Sequence, residues 1–360
     1  MAAAASDARA LAERAKAVAQ ALGFDLVGVA PAEPAPHAGY LREWLARGFA
    51  GEMGWLGRRV EARIDPRCVL EGARSVVALG LVYDPGDPPP APVASVRIAR
   101  YAGGDDYHDV LLDRVRAFEA ALTALADRPV RTRGYVDTGP LLERPLAARA
   151  GLGWIGKNTL LIHPRLGSYL FLAAVLTDLE LAADAPEPDH CGSCRACLDA
   201  CPTNAFPEPW VLDATRCISY ATIEARGAIP EPAREPQGAW AFGCDVCQEV
   251  CPWNRRERRE VPPDPHGLRA RLAPRAEWRR PALRWLLGLD EAAWQRATRR
   301  TALRRARWRG LLRNALVAAG NSGDRELVPL VRRHAESGDP LVAEHARWAL
   351  DRLAGSAPPA

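Results

Sequence analysis

The chain has 360 residues, 48% of them hydrophobic, and a net charge of +4. Those values are ordinary for a soluble protein of two or three domains, and no run approaches the roughly 18 apolar residues of a membrane span. The charge is uneven: residues 255–313 hold 18 Arg, 6 acidic residues and no Lys, an excess of +12, which leaves −8 on the rest. That is the pattern of an acidic enzyme with one basic face.

In chain order, Ser6 is placed to cap a first helix with Leu11, Ala15, Val18 and Leu22 at helical spacing. A strand is predicted over 25–30 and a helix over 40–48. Residues 75–83 form a continuous apolar run, the signature of a buried strand. The Pro-rich stretch 84–92 reads as a loop, 93–101 as strand, and 106–125 as an amphipathic helix. Strand 130–137, helix 140–150 and strand 168–177 follow. Strands alternating with helices predict an α/β domain. Residues 212–226 read as one helix, and 229–237 as a Pro-rich linker. Helices are predicted again at 283–289, 292–300, 304–320, 325–336 and 341–353. The last three resemble a HEAT-like pairing, with a plain helical bundle as the alternative. The fold class is thus α+β or α/β multidomain, divided as 1–180, 181–262 and 263–360.

Two cysteine runs dominate the middle. Cys191-Gly-Ser-Cys194-Arg-Ala-Cys197-Leu-Asp-Ala-Cys201-Pro202 reads C-x2-C-x2-C-x3-C-P, the run that holds [4Fe–4S] clusters in two-cluster ferredoxins. Cys244-Asp-Val-Cys247-Gln-Glu-Val-Cys251-Pro252 is the same run without its first cysteine, and Cys217 supplies the missing thiol. Because the fourth cysteine of such a run serves the other cluster, Cys191, Cys194, Cys197 and Cys251 are assigned to one cluster. Cys201, Cys217, Cys244 and Cys247 are assigned to the second. Zinc knuckles and disulfides are the competing readings; the close spacing disfavours the first and the absence of any export signal the second. The same absence predicts a cytoplasmic protein. Cys68 is left over and reads as a small buried hydrophobe.

Three polar stretches lie outside the cysteines. Asp137 falls where strand hands over to helix; it is either a desolvated carboxyl of raised pKa that donates a proton, or the N-cap of a helix beginning at Pro140. Gly151-Leu-Gly-Trp-Ile-Gly156-Lys157-Asn158-Thr159 breaks the Walker pattern at Asn158, but its glycines allow close approach to a cofactor. Lys157 is one of only two lysines in the chain. Arg100-Tyr101-Ala-Gly-Gly-Asp-Asp106-Tyr107-His108 is the third, with His108 capping or pairing locally. The Arg-rich segment, with Trp278, Trp285, Trp294 and Trp308, suits a polyanion such as a nucleic acid.

These stretches, with both cysteine runs, Gly167-Ser, Cys217-Ile-Ser-Tyr-Ala-Thr-Ile-Glu and Arg313-Asn-Ala-Leu-Val-Ala-Ala-Gly-Asn, resemble the epoxyqueuosine reductases over nearly the whole chain. The resemblance implies an oxidoreductase that completes queuosine in tRNA, with two [4Fe–4S] clusters and cobalamin, the corrinoid lying in the N-terminal domain. It implies Asp137 as proton donor, and Tyr101, Lys157, Asn158, Ser219, Thr222, Cys244 and Asp245 at or near the corrinoid. The implied partners are the anticodon loop of queuosine-family tRNA, held by the helical domain, and an external donor such as a flavodoxin or ferredoxin. No membrane is involved, and the protein is expected to be a monomer. Two rivals are a reductive dehalogenase-like enzyme acting on a small molecule, which has no need of the basic segment, and a ferredoxin-type carrier, which has no need of Asp137.

Overall fold

A computed structural model describes residues 2–83 and 94–355. The expected loop at 84–92 lies outside them. Helix α1 (Ala2–Ala21) precedes a sheet made of β1 (Leu26–Pro31), β2 (Ser75–Val82), β3 (Thr132–Tyr135) and β4 (Leu170–Thr177), in the spatial order β1-β2-β4-β3. Every pairing in it is antiparallel, so of the two expected classes the domain is α+β and not α/β. The apolar run of β2 reported something else correctly. Val77, Leu79 and Leu81 face a core with α1 and α2 (Tyr107–Thr123). Val76 and Ala78 face the opposite side, beneath α3 (Glu143–Arg149). A strand covered on both faces reads as continuously apolar whichever way its neighbours run.

The expected helix over 212–226 is shorter. A turn at Ala214–Arg216 leads to Cys217, and α4 spans only Ile218–Ile223. Three long helices close the chain: α5 (Arg307–Ser322), α6 (Val328–Ala335) and α7 (Pro340–Gly355). Their shared core also takes in Val96, Ala102, Ile223, Ala241 and Phe242. Part of that join is a parallel ladder in which Arg97 and Ile98 pair with Trp240 and Phe242. In the other direction, Leu268 and Leu272 pack into the N-terminal core, where Arg269 pairs with Asp25 at 2.8 Å. Packing therefore crosses the sequence positions 181 and 263. No described helix is long and apolar enough to cross a membrane.

His345 fastens the linker that follows α4. Its Nε2 accepts the Ile229 amide at 3.1 Å and its Nδ1 donates to the Leu341 carbonyl at 2.8 Å. Burial lowers its pKa to about 4, so the ring is neutral in the fold. An ordinary His titrates near 6.5, so the unfolded chain binds this proton first and stability falls as pH drops from about 6.5 towards 4. Urea unfolding should show His345→Gln less stable than the parent at pH 7 but less sensitive to acid between pH 6.5 and 5. Parallel acid profiles for the two proteins would remove His345 from that role.

Candidate iron centre and carboxylate network

All nine cysteines are free thiols; eight fall into two groups of four, and Cys68 stands apart. Cys191, Cys194, Cys197 and Cys251 line a cavity of about 40 Å³ with Lys157, Asn158, Ile162, Pro252 and Trp253. Among the described residues no three His, Cys, Asp or Glu converge on a single-ion site, so these thiols surround a space rather than a point. Cys201, Cys217, Cys244 and Cys247 form the second group: Cys201 raises the pKa of Cys217 and Cys244, and Cys217 and Cys244 raise that of Cys247. Burial is the larger cause, pushing Cys197 to about 11 and Cys244 to about 12. Such thiols lose their protons only to a metal that replaces the positive charge.

The surroundings fit iron–sulfur clusters. The amides of Ser219 and Tyr220, at the start of α4, point at the Cys217 sulfur. Those of Trp253 and Asn254 point at Cys251, and that of Val246 at Cys244. The Ala205 amide lies 3.3 Å from Cys201 Sγ, and Trp154 Nε1 3.5 Å from Cys191 Sγ. N–H groups aimed at sulfur stabilise thiolate ligands and set cluster potential. Behind the second run, Asn254 Oδ1 accepts the Ser168 amide at 2.7 Å, and Gln248 Nε2 donates to the Ser168 carbonyl at 3.0 Å. Asn254 sits where a Cβ on Gly167 would have to be, 2.2 Å from that carboxamide oxygen, and Gly167 has φ +73°. That is why the Gly167-Ser pair is needed there.

The other implied cofactor residues have their polar atoms engaged by the protein. Lys157 Nζ donates to the carbonyls of Gly192 (2.6 Å) and Cys194 (2.9 Å), and Asn158 Nδ2 to that of Cys247 (3.2 Å). Thr222, fully buried, donates to Ile218 and accepts the Gly243 amide. Asp245 accepts the Arg100 amide at 2.8 Å. Ser219 is half-buried and serves through its amide. The glycines at 151, 153 and 156 do not open the backbone to a cofactor. A Cβ on Gly153 would lie 2.2 Å from the Ile162 carbonyl, so they allow the Trp154–Ile155 hairpin to close on Leu161–Ile162. Cys68 is exposed rather than buried, because the turn Pro66–Cys68 lies at the surface.

Asp137 sits in a loop with φ +58°, six residues before α3, whose N-cap is Leu142; the capping role is excluded. Its Oδ2 accepts from Tyr107 Oη at 2.8 Å and lies 3.3 Å from His108 Nε2, while its amide donates to Glu143 Oε1 at 2.7 Å. The side chain is 61% exposed. Enclosure by the surrounding protein pushes the carboxyl up, but the bonds from His108 and Tyr107 and the charges of His108 and Arg144 outweigh it, so its pKa is lowered. The expectation of a raised value is corrected: the partners, not desolvation, decide it. The proton is stored next door. Desolvation lowers the His108 pKa, but its bonds to Asp106 (2.7 Å) and Asp137 win and raise it to about 9. Burial, then the charge of Asp137, raises Glu143 to about 8. Sequence reading noted His108 without seeing that it faces Asp137; the Asp106-Tyr-His triplet at the start of α2 was the available signal.

Tyr101 joins the two centres. Its ring lies 6.0 Å from Tyr107, which binds Asp137, and 6.2 Å from Phe242, two residues before Cys244.

Residues 190–254 match the family profile described as a 4Fe-4S double cluster binding domain, and residues 63–138 that of epoxyqueuosine reductase QueG, DUF1730. The epoxyqueuosine reductase of Gloeobacter violaceus is 44% identical over 86% of this chain and 96% of its own length. That of Pseudomonas aeruginosa is 40% identical over 95% and 94%, and that of Escherichia coli 36% over 96% and 90%. A solved epoxyqueuosine reductase bound to an epoxyqueuosine-modified tRNA-Tyr stem loop superposes with a TM-score of 0.86 at 31% identity, covering 95% of this chain and 89% of that one. The Bacillus subtilis enzyme, solved with its catalytic aspartate loop swung out of the active site, gives 0.84 at 29% over 95% and 90%. With relatives of this identity spanning nearly the full length, the chain belongs to the epoxyqueuosine reductase family.

Proposed function

We propose that the protein reduces epoxyqueuosine in tRNA to queuosine, taking up two electrons and two protons as the epoxide oxygen leaves as water and an alkene remains. The observation that carries the residue assignment is His108 held 3.3 Å from a solvent-exposed carboxyl. Two [4Fe–4S] clusters and cobalamin are the cofactors: the clusters pass single electrons, and the corrinoid supplies a strongly reducing metal when bound. We assign the corrinoid to the exposed side of Asp137, with the cysteine ligand sets as divided above. Asp137 relays the proton: His108 Nε2 hands it to Oδ2 as the leaving oxygen draws it away, and the carboxylate ends as it began. Tyr107 Oη fixes the carboxyl while this happens.

The same reading assigns an external one-electron donor of flavodoxin or ferredoxin type, a monomer, a cytoplasmic site and the three-part division of the chain. It places the tRNA on the basic segment. Much of that excess is consumed internally: Arg271 and Arg275 pair with Asp105, Arg284 with Glu326, Arg305 with Glu224 and Arg309 with Asp339. Arg299, Arg300, Arg304 and Arg307 are exposed. Their loop reaches the acid network directly, since the Asp106 amide donates to the Arg300 carbonyl at 2.8 Å.

The function is tested by supplying an epoxyqueuosine-bearing stem loop to anaerobically loaded protein and weighing the product nucleoside. Loss of one oxygen is expected; an unchanged nucleoside overturns the reading. Replacing Arg299, Arg300 and Arg304 together by Glu should weaken stem-loop affinity at least tenfold and flatten its salt dependence by about two to three phosphate contacts. Unchanged affinity and slope would move the RNA surface elsewhere.

A further inference from the structure

The Arg313-Asn-Ala-Leu-Val-Ala-Ala-Gly-Asn stretch has no part in the chemistry above, yet α5 turns its first two residues inward. Arg313 is 1% exposed. Its guanidinium donates to the carbonyls of Ala221 (2.5 Å), Ala225 (3.0 Å) and Gly227 (2.6 Å), and to Asn314 Oδ1 at 2.9 and 3.1 Å. Among the described residues no carboxylate is within ion-pair distance of it. Burial lowers its pKa only to about 10, so it keeps its charge at neutral pH. The acidic group that acts on it is Glu52, which accepts the Arg226 amide at 3.0 Å rather than the guanidinium, and Arg226 and Arg309 oppose it, so the buried cation has no paired counter-charge.

Asn314 completes the hold. Its Nδ2 donates to the Thr222 carbonyl at 2.7 Å and to the Ala241 carbonyl at 2.8 Å. Thr222 Oγ1 in turn accepts the Gly243 amide at 2.9 Å, one residue before Cys244. So the far end of α4 and the strand entering the second cysteine run are tied to α5 together. The near end of α4 presents its amides to the Cys217 sulfur. A six-residue helix is about 9 Å long, which brings the guanidinium within electrostatic reach of that thiol group.

We propose that Arg313 and Asn314 are positioning residues for the second cluster: they lock the segments bearing Cys217 and Cys244 onto the helical domain, and the guanidinium is the buried counter-charge of the anionic cluster. This rests on the assignment of Cys217 and Cys244 to one cluster. A full guanidinium fork is required for the three carbonyls, whereas the charge alone is required for the potential.

The test uses the full chain with both clusters reconstituted, read by redox titration with paramagnetic resonance and by iron release to a chelator. Arg313→Met should shift the second cluster's reduction equilibrium at least tenfold towards the oxidised form, 59 mV for one electron, and leave the first cluster unmoved. Arg313→Lys should recover most of that shift. Asn314→Ala should release second-cluster iron at least tenfold faster than the parent. Equal displacement of both clusters, or none, in Arg313→Met overturns the proposal. Should Arg313→Met not fold, Asn314→Ala decides alone, and parental iron release there overturns it. Full iron in Cys217→Ser overturns the ligand assignment and this proposal with it; half the iron there, beside a silent Arg313→Met, overturns this proposal alone.

Discussion

Asp137→Asn should retain both clusters, bind the stem loop with parental affinity and lose about 10²–10⁴-fold in turnover, the range that a positioned acid contributes. The amide keeps an oxygen for Tyr107 Oη but has no transferable proton, so folding and binding are spared while the leaving oxygen goes unprotonated. The parent's pH profile should carry the matching signature. His108 and Glu143 hold protons that are lost as pH rises through about 9 and about 8. Activity should therefore be level at neutral pH and fall on the basic side, with an apparent pKa belonging to the coupled network rather than to one group. The ion pairs of His108 follow the same sign: their stabilisation is complete below 6.5, the unfolded value, and is lost towards 9. Parental turnover in Asp137→Asn, or a profile flat to pH 10, would remove the acid role from this network.

Cys217→Ser should contain about half the parental iron, with the remaining resonance that of an intact first cluster. A hydroxyl is a hard, weakly acidic ligand, and the amides of Ser219 and Tyr220 that serve a sulfur at position 217 do not convert it into a thiolate. Cys68→Ser, at an exposed site far from either run in sequence, serves as the comparison and should keep all the iron. Full iron in the Cys217 variant would mean that another group completes the second set.

The cysteine runs were legible because ligand spacing is local: eleven residues carry four thiols, and the omission in the second run announces a ligand elsewhere. The apolar run of β2 was legible because burial on two faces leaves no polar position. What one dimension did not carry was direction and partnership. Nothing in Ser75–Val82 records that its neighbours run antiparallel. The acidity of Asp137 depends on Tyr107 and His108, some thirty residues away in sequence, and their approach is set by how α2 packs on the sheet. Position singled out Asp137 but left donor and cap open, and the resemblance pointed to the donor; the reversal of its expected pKa came only from its neighbours. Likewise, the +12 of the basic segment counted Arg269 and Arg313, which face inward. Charge counts say how much charge is present, not how much meets solvent.

The return of Leu268 and Leu272 to the N-terminal core has a consequence for synthesis. A chain made at about 5–20 residues per second completes Cys251 about one to four seconds before Leu272. Until then the first core lacks two of its apolar side chains and Asp25 lacks Arg269. The N-terminal core is therefore completed only after both cysteine runs have been made. A truncation that stops after the second cysteine run should yield an N-terminal half that is aggregation-prone rather than a working fragment.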